Sequence, residues 1–218
     1  MKYDWDQFWN DNKKDETLFS RFLSFYRIEV IARAVNYHIN QNFPPEGCYV
    51  EAGAGTSETT LRTYKNRRSF VAVDYSKFVL KRTTNNPKID HCVNANIFSL
   101  PFRDNSIDGI WNVGVMEHFY PDDIDSILKE FKRVIKPGGK VILFWPMAYA
   151  PYEIFFNIVE FIINKCSTKH FQVYPDEVSR LRSKKQGRSY LKKCGFQKVR
   201  SYFNYRDAYS FGVIVGQK

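Results

Sequence analysis

From Thr17 to Gln41, Phe19, Leu23, Tyr26, Val30, Ala34 and Tyr37 recur at spacings of three and four. One apolar stripe of that period predicts a long amphipathic helix. The run Phe43-Pro-Pro-Glu-Gly47 stops it. Downstream, short β-rich runs at Cys48–Ala52, Ser69–Val73, His91–Ala95, Ile107–Asn112 and Lys140–Trp145 alternate with helical patterns. One of these, Asp122–Ile135, ends at the stop signal Lys136-Pro-Gly-Gly139. Strands separated by helices predict an α/β fold with a parallel sheet covered on both faces. The tail breaks the rhythm. FQKVRSYFNY and AYSFGVIVGQ are two β-rich runs joined by a short link around Asp207, which reads as an antiparallel hairpin. With no internal repeat, low-complexity tract or linker, the 218 residues predict one domain with elaborations.

Composition adjusts this picture at four points. The apolar run Val141–Ile163 has the length of a membrane span, but Pro146, Pro151, Glu153 and Glu160 interrupt it, so it reads as a buried strand followed by an amphipathic helix. Cys48, Cys92, Cys166 and Cys194 lie far apart without a C-x-x-C pair, which argues against a zinc site and for reduced thiols in a cytoplasmic protein. The N-terminus shows no apolar signal-peptide core. The net charge of +10 is concentrated at one end, residues 151–218 holding 13 Lys and Arg against 5 Asp and Glu. Such a surplus is either a solvated basic face or a surface for phosphates, anionic lipid or acidic sugars.

In an open parallel sheet, ligands collect where strand C-termini meet helix N-termini. The first such point is Glu51-Ala-Gly53-Ala-Gly55-Thr56-Ser57. Gly53 and Gly55 let the backbone turn sharply and approach a ligand, and Thr56 or Ser57 is expected to cap the following helix. A dinucleotide fingerprint requires a third glycine at Glu58, where a carboxylate would instead repel a pyrophosphate. Asp74 ends the second strand, 23 positions after Glu51, a place from which an acidic side chain accepts ribose hydroxyls. A third piece turns through Asn96 and Ile97. Its strand, Ile107–Asn112, then delivers Gly114, Glu117 and His118 to the ligand edge.

At these residues the sequence resembles the class I S-adenosylmethionine-dependent methyltransferases of the type 11 kind. The segments VEAGAGT, VAVDYS, NIFSLPFRDNSIDGIWNVGVMEHF, FKRVIKPGGKVILFWP and YLKKCGFQKV carry the resemblance in the correct order, over roughly residues 48–145 and 187–216. It implies a Rossmann-like, doubly wound seven-stranded sheet of order 3-2-1-4-5-7-6 with the last strand antiparallel, and S-adenosyl-L-methionine as cofactor. By position, Glu51, Gly53 and Gly55 would hold its methionine end and Asp74 its ribose. Tyr75 would pack on the adenine, Asn96 would meet the adenine amino group, and Ile97 would offer a backbone N–H. The backbone near Asn112 and Gly114 would accept from the methionine ammonium. Many relatives have glycine at the position of Ser57 and an acid at that of Asn96.

The implied reaction is an in-line methyl displacement in which the protein mostly aligns reactants and excludes water. His118 is the first candidate for a general base, with Glu117 as a positioning neighbour, and a structural role for His118 stands beside that reading. Substrate choice is expected outside the resemblance, in a helical N-terminal lid (1–46) and a helical insertion (146–186) flanking the cofactor core (47–145) and the C-terminal helix and hairpin (187–218). In the insertion, Glu153, Asn157, Glu160 and Asn164 form a polar stripe on an otherwise apolar helix, a face that would pack on the core, cap the site, dimerise or rest on a membrane. If the cluster Arg180–Arg188 faces the same cleft, the acceptor is amphiphilic or anionic. A small-molecule, saccharide or lipid-type acceptor is the leading expectation, for a monomer or homodimer. RNA or protein methylation and a non-catalytic cofactor-binding subunit are the rivals. The fourth strand ends NVGVMEH, without the Asn/Asp-Pro-Pro-aromatic motif of many nucleic-acid amino-methylating enzymes, and an NAD-dependent oxidoreductase ranks last.

Overall fold

The computed structural model describes residues 5, 6, 18–151, 161, 165, 177–203 and 205–218. The N-terminal stripe forms three consecutive helical pieces. They are α1 (Leu18–Tyr26), a five-residue π-turn (Arg27–Ile31) and α2 (Ala32–Asn42). In the π-turn the Ala32 N–H reaches back five residues to the Arg27 carbonyl, inserting an extra residue that re-aims the stripe. Val35 and Ile39 bury against the sheet, while Tyr26 and Arg27 line a cleft at its edge.

Seven strands follow the predicted alternation: β1 (Glu46–Ala52), β2 (Arg67–Asp74), β3 (His91–Asn94), β4 (Ile107–Val113), β5 (Ile135–Pro146), β6 (Gln197–Tyr202) and β7 (Phe211–Gln217). Between them lie α3 (Lys77–Thr83), α4 (Pro121–Val134) and α5 (Lys184–Lys193). The order is β3-β2-β1-β4-β5-β7-β6, parallel as far as β5, with β7 antiparallel to both its neighbours. This is the doubly wound sheet that the resemblance implies.

Period-two alternation explains why both faces are covered. Val50, Ile110, Val141 and Leu143 point to one face and pack with Ile127, Leu128 and Phe131 of α4 and Leu191 of α5. Tyr49, Trp111, Ile142 and Phe144 point to the other, with Val35 and Ile39 of α2. Each such side chain, once buried, contributes ~1.5–3 kcal/mol.

The start of β5 differs from the sequence reading. Helix α4 does end before Lys136-Pro-Gly-Gly139, but that run is not a connection between elements. Ile135 already pairs with Ile107, and Lys140 pairs with Gly109, so the four residues form an irregularity inside β5. The apolar run from Val141 begins as this strand, and no helix among the described residues is long and apolar enough to cross a membrane. The polar stripe from Glu153 to Asn164 lies outside the described residues, as do Tyr3, Phe8 and Trp9.

Candidate active site

The strand ends build the site. After β1 the chain folds back onto β2, where the Gly53 and Ala54 N–H groups donate to the Val73 carbonyl (2.9 and 3.0 Å). Gly53 has φ +70°, and a Cβ there would lie 2.7 Å from Val115 Cγ2, so only glycine fits. Ser57 also adopts a left-handed conformation (φ 51°), and its side chain makes no cap. The expected helix is a single 3-10 turn, Glu58–Thr60. Without a long helix after the loop there is no strong dipole to attract a pyrophosphate, consistent with the missing third glycine.

Glu51 is buried beneath this turn, and hydroxyls of Thr60 (2.8 Å) and Thr59 (3.3 Å) donate to its two oxygens. Burial raises its carboxyl to about 7, with neighbouring hydroxyls opposing the rise. Asp74 accepts from the Gly55 N–H on one oxygen (2.8 Å) and the Ser76 N–H on the other (2.9 Å). Burial raises it too, against the pull of these backbone donors. The Tyr75 N–H is a third backbone donor to this carboxylate, whose four lone pairs still leave a site for a further donor. Asn94 and Thr83, which the sequence reading passed over, set this corner. The Asn94 amide donates to the Asp74 and Tyr75 carbonyls (3.1 and 2.6 Å), and the Thr83 hydroxyl to the Gly55 carbonyl (2.6 Å). Hydrogen bonds between residues so far apart leave no sequence signal.

Two adjoining cavities, of about 190 and 100 Å³, share Trp5, Gly53, Gly55, Gly114 and His118 as lining. Asp74, Tyr75, Asn96, Ile97, Val115 and Phe119 complete the smaller. Glu51, Glu117, Tyr26, Arg27, Ile31 and Phe211 are among those completing the larger. The sheet edge thus gathers the sequence-predicted residues, with one exception. Asn112 is fully buried in β4 and lines neither cavity, whereas Val113 and Gly114 do. The Asn96 side-chain oxygen accepts from the Phe98 N–H (3.0 Å), an Asx turn that an aspartate forms equally well. That shared geometry accounts for asparagine at a position where an acid is common.

Met116–His118 is a single 3-10 turn. His118 Nε2 lies 3.8 Å from Glu117 Oε1, with side chains 12% and 4% exposed. That is too long for a hydrogen bond and close enough for the carboxylate to stabilise a protonated ring. The turn is fixed from the far side of the insertion. Val178 and Ser179 N–H groups donate to the Glu117 carbonyl (2.7 and 3.0 Å), the Ser179 hydroxyl to the Met116 carbonyl (2.8 Å), and Trp145 Nε1 to the Ser179 carbonyl (2.6 Å). The ends of the insertion are also joined to each other. Leu181 N–H donates to Pro146 O and Ala148 N–H to Leu181 O, both at 2.9 Å. Among the described residues, Arg182, Lys184, Lys185 and Arg188 do not line the cleft, whereas Arg180 pairs with the cleft-lining Glu177.

The arrangement fits an adenosyl group with a charged tail. The smaller cavity pairs apolar walls with a carboxylate and an Asx turn, and the larger has a buried carboxyl under a glycine turn. Comparisons with known proteins agree. Residues 50–143 match a family model described as "Methyltransferase domain". The chain is 26% identical to a demethylmenaquinone methyltransferase of Staphylococcus haemolyticus, over 76% of this chain and 77% of that protein. It is 32% identical to a malonyl-[acyl-carrier protein] O-methyltransferase of Erwinia pyrifoliae, over 43% of this chain and only 35% of that one. The crystal structure of a SAM-dependent methyltransferase from Archaeoglobus fulgidus superposes with a TM-score of 0.63 at 14% identity, covering 91% of this chain and 99% of that one, a likeness of fold. These matches support a class I S-adenosylmethionine-dependent methyltransferase, with S-adenosyl-L-methionine as cofactor.

Proposed function

We propose that the protein transfers the methyl group to a small-molecule or lipid-type acceptor held in the larger cavity. One observation carries this reading. Among the described residues, the space beyond the shared glycine edge is a small cavity walled by Tyr26, Ile31, Val113, Pro146 and Phe211, whose charged lining sets Arg27 against Glu51, Glu58, Glu117 and Glu177, not a basic groove that could track a polymer. The similar curated proteins named above act, by their names, on demethylmenaquinone and malonyl-[acyl-carrier protein].

In this reading Asp74 accepts from the ribose hydroxyls, and Tyr75, Asn96 and Ile97 bound the adenine. Glu51, the Gly53–Gly55 turn and the Gly114 backbone receive the methionine end, with the Asn112 amide as support beneath it. When bound, the sulfonium supplies an activated methyl and a neutral thioether leaving group. Alignment of the acceptor atom with that methyl is the chain's main contribution. Where the acceptor atom carries a proton, His118 Nε2 takes it, and Glu117 stabilises the resulting imidazolium. His118→Asn is then expected to lower kcat ~100-fold with little change in cofactor affinity.

The test is incubation of the enzyme with methyl-labelled cofactor and fractionated cell extract. Label in the organic-soluble or small-molecule fraction supports the proposal. Label in RNA, or label that stays with protein after thioester cleavage, overturns it.

A further inference from the structure

Among the described residues lining both cavities, Trp5 alone comes from outside the strand-edge loops. Its indole packs edge-on against His118, ring centroids 5.1 Å apart with planes at 75°. The neighbouring Asp6, which lines neither cavity, is hydrogen-bonded through its carboxylate to the Ser76 hydroxyl. Ser76 is fully buried, caps α3 by accepting from the Val79 N–H (3.3 Å), and follows Asp74 by two residues. Two adjacent residues therefore span the cleft mouth. One sits on the proton acceptor at the junction of the cavities, and the other is tied to the turn that carries the ribose carboxylate.

We infer that Trp5 is a positioning residue of the methyl-transfer site, closing the junction over the bound donor, and that the Asp6–Ser76 bond holds it there. This rests on the cofactor reading of the cleft. The reacting atoms meet where the cavities share their lining, so an aromatic wall there excludes water and limits how donor and acceptor sit. Asp6 contributes indirectly, by preordering the wall.

The test uses S-adenosylhomocysteine as the probe, by calorimetry and tryptophan fluorescence on the full chain. Trp5→Ala is expected to weaken binding ~10-fold, Trp5→Phe to stay within ~3-fold of wild type, and Asp6→Ala to lose ~3-fold by releasing the wall. Because Asp6 acts through Trp5, the double variant Trp5→Ala/Asp6→Ala should bind no worse than Trp5→Ala alone. Ligand should quench wild-type emission, and Trp5→Phe should lose most of that quench, a readout that a purely structural role would leave in place. Unchanged binding in a folded Trp5→Ala, additive losses in the double variant, or full quenching in Trp5→Phe would each overturn the inference. If wild-type protein itself fails to bind the probe, the cofactor reading fails instead.

Discussion

Ser57 occupies a backbone conformation in which a side chain is a burden. At φ 51° its Cβ crowds the following carbonyl, which costs a non-glycine residue ~1–2 kcal/mol. Many relatives of the type 11 kind place glycine there, and the turn geometry says why. Ser57→Gly is expected to raise the thermal midpoint by ~2–4 °C, read by calorimetry without ligand. A lower midpoint would mean that the hydroxyl contributes more than the backbone strain costs. At this scale the sequence was legible where one residue's chemistry suffices, as with Glu51, Gly53 and Asp74 gathered at one sheet edge. It was not legible where the role is a hydrogen bond to a distant carbonyl, as with Asn94 and Thr83. The expected capping role of Thr56 or Ser57 failed because the chain makes only one 3-10 turn there.

The elements are pinned by groups that periodicity does not register. Arg68, at the start of β2, is 4% exposed. Its guanidinium donates to the Pro44, Phe43 and Tyr64 carbonyls and to the Asn40 side chain at 2.6–2.9 Å. It thereby fixes the exit of α2 and the entry of β1 together. Arg68→Met keeps the apolar stem and leaves those acceptors without their donor. A loss of ~3 kcal/mol is expected in denaturant unfolding, and a loss below ~1 kcal/mol would show that the bonds are redundant. The loop after Asn96 is held in the same manner. Arg133 of α4 donates to the Leu100 and Phe102 carbonyls (3.1 and 3.0 Å), and Glu130 accepts from the Leu100 N–H (2.6 Å). Strand positions were readable because alternation is local. The early start of β5 was not, because it depends on pairing between Ile135 and Ile107.

For the whole molecule, buried titratable groups tie stability to pH. Burial raises Glu51 to about 7 and Asp207 to about 6. Between the ordinary carboxylate range and these values the folded chain keeps protons that the unfolded chain has released, so stability falls as pH rises through that window. His38 acts in the opposite sense. Burial, reinforced by the charge of Arg206, pushes it down to about 4 from 6.5, so its contribution is lost as pH falls through that interval. With the opposing His38 included, the ligand-free protein should be more stable at pH 6 than at pH 8 by ~1 kcal/mol, with Glu51→Gln removing that preference. Thermal melts across that range check it, and a profile rising toward pH 8 would contradict it. The sheet order was anticipated by family resemblance, and the hairpin by the β-rich tail. The joining of residues 177–181 to the Met116–His118 turn was not, since its two sides lie about sixty positions apart.

That joining has an evolutionary consequence. Pro146 and Ala148 on one side and Leu181 on the other are bonded directly, so the two ends of the intervening segment are anchored side by side. Loop-closure entropy grows only slowly with length, and a segment with anchored ends can be lengthened, shortened or exchanged at little energetic cost to the sheet. A lineage can then vary that segment while the strand-edge loops are inherited intact.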